Sequence, residues 1–313
     1  MIRSKLLTAT GDPDIYIGEQ EYVTGPGTYY FKVPLSVTRI HACCIGAGAQ
    51  GASDGQYGGI DIWGGGGGGG LGWKNNIEVE PGETLVVQVG AVVGDGYAPE
   101  ADGASWIKRM AEPDTRLEGN IDTGEPEGDP LVAGYAGGSQ EYGTFYSGGD
   151  FLGDGGGEGG SGSSSTSYTG NDGNNYVKSK GSGGGAGGYT SRGGRGCTIN
   201  GDPTQDGGGG SGGASSVANQ SGTRGGYRGG GTGVRGKGAS GVSRRPESIE
   251  WDADSSGGVG YPGSGGEAGL FGAGGAGDDG WNGQENTKAG HGAVRIIWGN
   301  RFSYPDNADV EAE

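Results

Sequence analysis

The sequence predicts an all-β fold: a small β-sandwich that is closed by the C-terminal strand and carries a large glycine-rich insertion of polyglycine II type. Three observations support this prediction. Strand patterns of period two occur towards both ends of the chain, and no segment shows the apolar period of a convincing helix. Of 313 residues, 83 are glycine, and glycine brings no side chain to a core. Backbone hydrogen bonds must therefore order the glycine-rich segments.

The clearest strand pattern is that of Glu83–Gly90, where Leu85, Val87 and Val89 lie on one face. The residues before it, Glu80–Glu83, have proline and glycine at the positions that a type II turn favours, so they join it to a preceding strand. Further strands are predicted at Tyr29–Val33, Thr38–Ile45, Leu71–Val79, Ser105–Met110 and Ala293–Trp298.

The last of these strands lies far in sequence from the others, which predicts that it closes the sandwich. Its Val294, Ile296 and Trp298 share one side, and we expect that side to face the core. The sandwich framework is then formed by residues 21–133 and 291–300, with a glycine-rich loop at 46–70. The other parts are predicted as an N-terminal arm (1–20), the glycine-rich insertion (134–290) and an acidic C-terminal tail (301–313).

Glycine runs such as Gly64–Gly70 predict extended rods with three residues per turn, which can hydrogen-bond sideways because no face carries a side chain. At about 3.1 Å per residue, such a run spans roughly 22 Å. Shorter runs at 183–188, 207–210 and 229–231 would form further rods, with Tyr189 at a rod end or outward face. The alternative is a set of flexible linkers, but fifteen Tyr and six Trp are more aromatics than a solvating segment carries.

The net charge of −17 argues against nucleic acid as the main partner. Residues 176–245 are basic, with ten Lys or Arg against Asp202 and Asp206, so this segment carries +8 and the rest of the chain −25. Within it, Arg224–Gly230 resembles an RGG segment of RNA-binding proteins. In so acidic a chain, internal neutralisation or contact with an anionic surface polysaccharide fits better.

No motif predicts an enzyme, a cofactor or a metal site. Gly46–Gly51 matches the glycine pattern of a dinucleotide site, but another glycine run follows where that site needs a helix. Asp252–Gly257 begins like a calcium loop, but Gly263 stands where its bidentate glutamate should be. The two histidines form no Ser/His/Asp set and no His/Cys metal spacing with their neighbours.

The cysteines predict reduced thiols rather than a disulfide framework. Cys43 and Cys44 are adjacent and point to opposite faces of a strand, and Cys197 lies far away in sequence. The first twenty residues lack the apolar region of a signal peptide, and no apolar run reaches membrane-spanning length. We therefore expect the protein to be made and kept in a cytoplasm.

Three segments, in this order around the glycine block, resemble glycine-rich structural proteins in the virions of tailed bacteriophages. They are Tyr30–Gly51 (YFKVPLSVTRIHACCIGAGAQG), Gly70–Gly90 (GLGWKNNIEVEPGETLVVQVG) and Gly292–Gly299 (GAVRIIWG). The ending Arg301–Pro305 is similar to that of structural proteins of myophages, especially marine and cyanobacterial ones. The glycine-rich middle is similar in kind to the distal tail-fibre adhesins of T-even phages, which fold as sandwiches of polyglycine II rods whose loops touch the bacterial receptor.

The resemblance implies two functions, which the sequence leaves open. The first is a receptor-binding adhesin of the tail fibre or adhesion apparatus, which presents aromatic loops on a rigid glycine-rich scaffold to a host cell-surface receptor. The second is an architectural virion protein without receptor binding, such as a baseplate, neck or fibre connector or a capsid decoration. In that case the sandwich and the N-terminal arm would dock on a neighbouring subunit. Neither protein is an enzyme.

Aromatic residues of the predicted loops are the candidates for receptor binding, because Tyr and Trp offer large contact areas and stack on sugar rings. The alternative is that they pack internally against glycine faces. They are Tyr135, Tyr142, Phe145, Tyr146, Phe151, Tyr168, Tyr176, Trp251 and Tyr261.

The implied partners are other phage virion proteins, such as fibre or baseplate subunits, and a host surface polysaccharide or outer-membrane protein. Nucleic acid is not an expected partner, and a homo-oligomer, a trimer, is compatible with the resemblance. The implied location is the tail or fibre of a virion that is assembled in the host cytoplasm.

Overall fold

The computed structural model describes residues 3–8, 16–51, 55–57, 60–62, 64–94, 103–110, 126–138, 147–163, 166–169, 175–179, 183–196, 229–236, 271–275, 289–299 and 302–306. These residues form two antiparallel sheets with essentially no helix, which confirms the predicted all-β sandwich. The described strands are β1 (Arg3–Thr8), β2 (Tyr16–Tyr22), β3 (Gly27–Lys32), β4 (Arg39–Ile45), β5 (Gly55–Tyr57), β6 (Ile60–Ile62), β7 (Leu71–Glu78), β8 (Thr84–Val89), β9 (Ser105–Met110), β10 (Pro126–Gly134), β11 (Phe151–Leu152), β12 (Gly155–Gly157), β13 (Thr166–Thr169), β14 (Asn175–Ser179) and β15 (Ala293–Trp298).

The first sheet has six strands in the order β1-β2-β15-β4-β7-β12, so the C-terminal strand β15 lies in its middle. β15 is antiparallel to both neighbours, with Val294 opposite Tyr22 of β2 and Ala293 opposite Ile45 of β4. Without β15, the strands β2 and β4 would have no partner between them. The predicted closure of the sandwich by the C-terminal strand is confirmed.

The N-terminus differs from the prediction, because β1 and most of β2 lie within residues 1–20, which were expected to form an arm. The two strands pair with each other, and β2 pairs with β15, so this segment belongs to the first sheet. The sequence of β2 gives only a weak strand signal. One face has Gly18, which lies against the Trp298 ring, and the buried Tyr22, and the other has Glu19 and Glu21, which lie beside Arg295.

The second sheet has five strands in the order β11-β10-β9-β8-β3, and the main core lies between the two sheets. The Phe31 ring of β3 lies 5.7 Å from the Trp298 ring of β15 across this core. The predicted inward faces of β8 and β15 are confirmed by the members of one buried cluster, which include Leu85, Val87, Val89, Val294, Ile296 and Trp298.

The turn between β7 and β8 has the predicted geometry. Gly82 has a φ of +83°, and the Glu83 N–H donates to the Glu80 carbonyl oxygen at 3.0 Å. A positive φ at the third residue defines a type II turn, and glycine adopts it without strain. The turn connects β7 of the first sheet to β8 of the second sheet, so the chain crosses between the sheets here instead of forming a hairpin.

The outer face of the first sheet is covered by chain from the insertion and from the C-terminus. Tyr189, Val234, Phe302 and Tyr304 pack there against Cys43 in one buried cluster. Residues 301–313 were predicted as an acidic tail, but Phe302 and Tyr304 are buried. These two aromatic side chains remove apolar surface from water, so this part of the segment is core rather than tail.

A buried network of ion pairs lies on the same face. The Arg295 guanidinium is 1% exposed and lies 2.5 Å from Glu19 and 3.5 Å from Glu21. Arg235, from the insertion, lies 3.2 Å from Glu21. Breaking such a pair leaves an uncompensated buried charge and costs about 3–5 kcal/mol. The network therefore connects the insertion to β2 and β15.

Cys43 and Cys44 are unbridged, as predicted, and both are buried, while Cys197 lies outside the described residues. Burial raises the pKa of the Cys43 thiol to about 12, although a hydrogen bond with Tyr189 and the charge of Arg295 act in the other direction. Burial also raises the pKa of Cys44 well above its usual value. Because the reactive species is the thiolate, both thiols are chemically inert in the folded protein.

Candidate functional site

Gly64–Gly70 forms an extended rod that continues directly into β7 and has three residues per turn. Its N–H groups point in three directions in succession. Gly65 and Gly68 donate to residues 163 and 160, Gly66 and Gly69 to residues 275 and 272, and Gly67 and Gly70 to residues 138 and 135, at N···O distances of 2.8–3.2 Å. None of these glycines has a positive φ, and an extended chain of this period with negative φ is the left-handed polyglycine II helix.

Six segments surround this central rod. Residues 135–138, 160–163 and 272–275 accept its N–H groups, and residues 46–49, 149 and 184–187 donate to its carbonyl oxygens. Both backbone groups of every residue from Gly66 to Gly70 are hydrogen-bonded to one of these neighbours. We call the seven segments the glycine bundle. Their bonding confirms the predicted mechanism of order in the part of the insertion that the structure describes.

The outer rods repeat the same period. Gly184 and Gly187 donate to the central rod, Gly185 and Gly188 donate to residues 194 and 191, and Ala186 donates to residue 230. Tyr189 ends this rod, as predicted, but it is buried rather than outward-facing, and its hydroxyl donates to the Gly233 carbonyl oxygen at 2.8 Å. The rod predicted at 207–210 lies outside the described residues.

The spacing of the bundle excludes side chains from the central rod. A Cβ added to Gly67 would lie 1.9 Å from the Ser147 carbonyl oxygen, and one added to Gly68 would lie 2.1 Å from the Gly185 carbonyl oxygen. A Cβ on Gly69 would lie 2.0 Å from the Gly46 carbonyl oxygen. These atoms belong to the backbones of three different neighbours, which are themselves held by hydrogen bonds and cannot move aside cheaply.

The hydrogen bonds also give the direction of each rod. Gly70 is the end of the central rod that joins the sandwich, and Gly64 is the opposite end, which we call the loop end. Residues 50, 138, 147, 163, 183 and 275 all lie towards the loop end, because their segments pair with residues 65–67 there. The connections 51–63, 139–146, 164–182 and 276–288 therefore all leave and return at the same end of the bundle. Connection 197–228 does so too, because Gly196 donates to the Ser161 carbonyl oxygen and Gly229 to the Gly274 carbonyl oxygen, in the segments that end at residues 163 and 275.

Two of these connections contain short hairpins at the loop end. β5 pairs with β6 in connection 51–63, and β13 pairs with β14 in connection 164–182. β6 lies next to both β13 and β14, so the two hairpins are neighbours. The loop end therefore combines chain from parts of the sequence that are more than a hundred residues apart.

The connection 237–270 is different, because the described residues at its two ends lie at the sandwich. Arg235 is paired with Glu21 of β2, and Phe271 packs against the buried cluster on the outer face of the first sheet. Residues 232 and 271 form an antiparallel bridge. This connection thus starts and finishes at the end of the bundle opposite to the loop end.

The predicted binding residues are divided between these places. Tyr142, Phe145 and Tyr146 lie outside the described residues, in a connection that is anchored at the loop end. Tyr168 and Tyr176 are Cα partners in the β13–β14 hairpin. The other four are anchored elsewhere: Trp251 and Tyr261 lie outside the described residues in connection 237–270, and Tyr135 and Phe151 lie where rods meet the second sheet.

A cleft of about 550 Å³, which we call the flank cleft, lies beside the bundle. One wall is the outer face of β9, with Trp106 and Lys108, and the other is formed by Tyr135 and residues 147–150. Tyr135 is one of the binding residues predicted from the sequence, whereas Trp106 and Lys108 were not predicted. Their alternation with the buried Ile107 is a signal that could have placed them on an outer face.

The described residues contain no cluster of metal-ligating side chains. No group of three or more His, Cys, Asp or Glu among them could hold a metal ion. The glycine motif 46–50 is a rod of the bundle and not the start of a helix. Within the same residues, no helix is long and apolar enough to cross a bilayer.

Comparison with known proteins gives no family assignment. No protein-family model matches the chain, and no curated protein matches it.

Proposed function

We propose that this protein is an adhesin of a tailed-bacteriophage tail fibre or adhesion apparatus, and that the loop end of the glycine bundle binds a host cell-surface receptor. The observation that supports this proposal most directly is that the connections between rods gather at one end. Five connections leave and return at the loop end of a bundle in which both backbone groups of every residue from Gly66 to Gly70 are hydrogen-bonded.

This arrangement suits recognition for a physical reason. Loops carry binding residues because they tolerate sequence change, while a rigid scaffold limits the conformational freedom that is lost on binding. The central rod is held by backbone bonds to its neighbours, which do not involve the loops, so the loops can vary in sequence without disturbing it. Receptors of the proposed kind are a host surface polysaccharide or an outer-membrane protein.

The sandwich, at the opposite end, is the proposed attachment to other virion proteins. Its exposed apolar side chains include Leu35, which is 82% exposed, and Tyr30, which is 53% exposed and lies on the edge strand β3. Edge strands and exposed apolar groups are common docking features of protein assemblies. An architectural virion protein would use the same surface but would have no receptor for the loop end.

Binding to cells tests the proposal. The purified protein is expected to bind a permissive host and to compete with phage for adsorption. Replacing Tyr142 and Tyr146 together by Ala should weaken binding about a hundredfold or more, because aromatic anchors carry much of the energy of an interface. The double variant of Trp251 and Tyr261 is the matched control, since its connection is anchored at the sandwich end, and it should bind normally.

Two results would contradict the proposal. Immuno-electron microscopy could place the protein between other virion components while the purified chain binds no permissive host, which would favour the architectural function. Equal loss of binding in both double variants, with unchanged melting temperatures, would show that the loop end is not the specific contact surface.

A further inference from the structure

The flank cleft has features of a ligand site that the proposed loop-end function does not use. Its volume of about 550 Å³ lies within the range of roughly 300–1,000 Å³ that small-ligand sites occupy. It is formed where β9 and β10 of the second sheet pass alongside residues 135–136 and 147–150 of the bundle. Its two walls thus come from the two different architectures of the protein.

One wall presents an aromatic face with a cation. Trp106 and Lys108 alternate with Ile107, which is fully buried in the core, so both side chains lie on the outer face of β9. The Lys108 Nζ lies 5.0 Å from the centroid of the Trp106 ring. Trp106 lines the cleft and is only half-buried. A second aromatic residue, Tyr135, is 38% exposed in the same cleft.

The other wall supplies polar groups. Asp150 and Ser147 are exposed there, so a carboxylate and a hydroxyl are available to a ligand. One carboxylate oxygen of Asp150 accepts the Phe151 N–H at 2.7 Å, which fixes the orientation of the side chain and leaves the other oxygen for further bonds. The wall between Ser147 and Asp150 is made of Gly148 and Gly149, so backbone alone lines it.

The backbone at Tyr135 and at residues 149–150 is held by hydrogen bonds of the bundle. The Tyr135 N–H donates to the Asp150 carbonyl oxygen at 2.9 Å, and the Tyr135 carbonyl oxygen accepts the Gly70 N–H at 2.9 Å. Gly149 in turn donates to the Gly68 carbonyl oxygen at 2.8 Å. The cleft is therefore preorganised, and a ligand would not have to order its walls.

We propose that the flank cleft binds a neutral saccharide. Sugar rings have apolar faces that stack on Trp and Tyr, and vicinal hydroxyls that donate to a carboxylate and accept from an ammonium group. Trp106 and Tyr135 supply the first kind of contact, and Asp150 and Lys108 supply the second. An acidic saccharide suits the cleft less well, because Asp150 lies in it and the chain has a net charge of −17.

The test uses the full chain and saturation-transfer NMR with four neutral disaccharides: maltose, lactose, mannobiose and N,N′-diacetylchitobiose. Saturation is expected to reach the ring protons of at least one of them. Trp106→Ala should weaken its binding at least about tenfold, whereas Trp106→Phe, which keeps an aromatic face, should retain most of it. Leu152→Ala is the matched control, because Leu152 is an exposed apolar residue that does not line the cleft.

The variants Tyr135→Ala and Asp150→Asn keep the test decisive if Trp106→Ala does not fold. Asp150→Asn retains an oxygen that can accept the Phe151 N–H but lacks the charge. No transfer to any of the four sugars would overturn the proposal, as would equal transfer in the wild type and in all three cleft variants. Tighter binding of digalacturonate than of every neutral sugar would overturn the neutral assignment. Binding of host cells is a separate readout, so the loop-end function can stand or fail independently.

Discussion

Single glycines in the central rod have a structural role that resembles that of large core residues in other proteins. Gly67 donates its N–H to the Gly138 carbonyl oxygen, and its own carbonyl oxygen accepts the Ala49 N–H. A Cβ added to Gly67 would meet the backbone of Ser147. The stabilisation comes from close approach rather than from buried side-chain area. It is lost when the approach is prevented, even by a single methyl group.

Substitution of one glycine tests this role. Gly67→Ala should destabilise the protein by about 3 kcal/mol or more, because its Cβ would lie 1.9 Å from a carbonyl oxygen that cannot shift. Gly25→Ala is the control, since nothing lies within 4 Å of its added Cβ and its φ is not positive. Thermal unfolding followed by circular dichroism should show a lower melting temperature for the first variant alone. A stable Gly67→Ala protein would contradict the close packing of the rods.

At the scale of elements, several glycine-rich segments continue a strand of the sandwich directly. Gly46 follows β4, Gly70 precedes β7, Tyr135 follows β10 and Gly292 precedes β15. The strands place the starts of the rods, and the rods then diverge from the sheets and pack around Gly64–Gly70. The sandwich therefore acts as the template from which the bundle is built.

The element with the largest expected effect is β15. Deleting residues 292–313 removes the strand between β2 and β4, the buried Arg295 network and the aromatic side chains that cover the outer face. The expected result is insoluble protein on expression. Deleting only residues 307–313 leaves all of these contacts in place and should give soluble protein. Soluble, cooperatively melting protein after the longer deletion would contradict the role of β15.

For the whole molecule, continuity between strands and rods implies one cooperative unit. Trp73 of β7 donates through its indole nitrogen to the Tyr189 carbonyl oxygen at 2.8 Å, and Arg235 pairs with Glu21 of β2, so the insertion is tied to the first sheet. A separate, independently stable insertion would need its own core. The described part of the bundle has backbone hydrogen bonds in place of one.

Calorimetry can test this unity. We expect the sandwich and the glycine bundle to unfold in a single transition, with equal calorimetric and van't Hoff enthalpies. In Gly67→Ala the whole transition should move to lower temperature, because the bundle and sandwich share their strands. Native-state hydrogen exchange should show the amides of Gly66–Gly70 exchanging only on global unfolding. Two resolved transitions, or fast exchange of these amides beside a protected β8, would contradict the prediction.

Several features could be predicted from local sequence. Alternation in Glu83–Gly90 and Ala293–Trp298 identified the inward faces of β8 and β15, and Pro81 and Gly82 identified the turn, because period and turn chemistry depend on nearby residues. The ordering of glycines by lateral backbone bonds followed from composition, since these segments carry no side chains that could form a core. The unbridged state of Cys43 and Cys44 followed from their adjacency in a strand, which points them to opposite faces.

Other features depend on contacts between distant parts of the chain. The polar sequence of β2 is buried only because Arg295 and Arg235 neutralise its glutamates, and Phe302 and Tyr304 are buried because the outer face of the first sheet is available to them. Which rods become neighbours has no local signal at all, because glycine backbones are chemically identical and carry no pattern that specifies a partner. The tertiary structure alone therefore decides that five connections meet at the loop end, that the anchors of 237–270 lie at the opposite end, and that Trp106 and Asp150 line the same cleft.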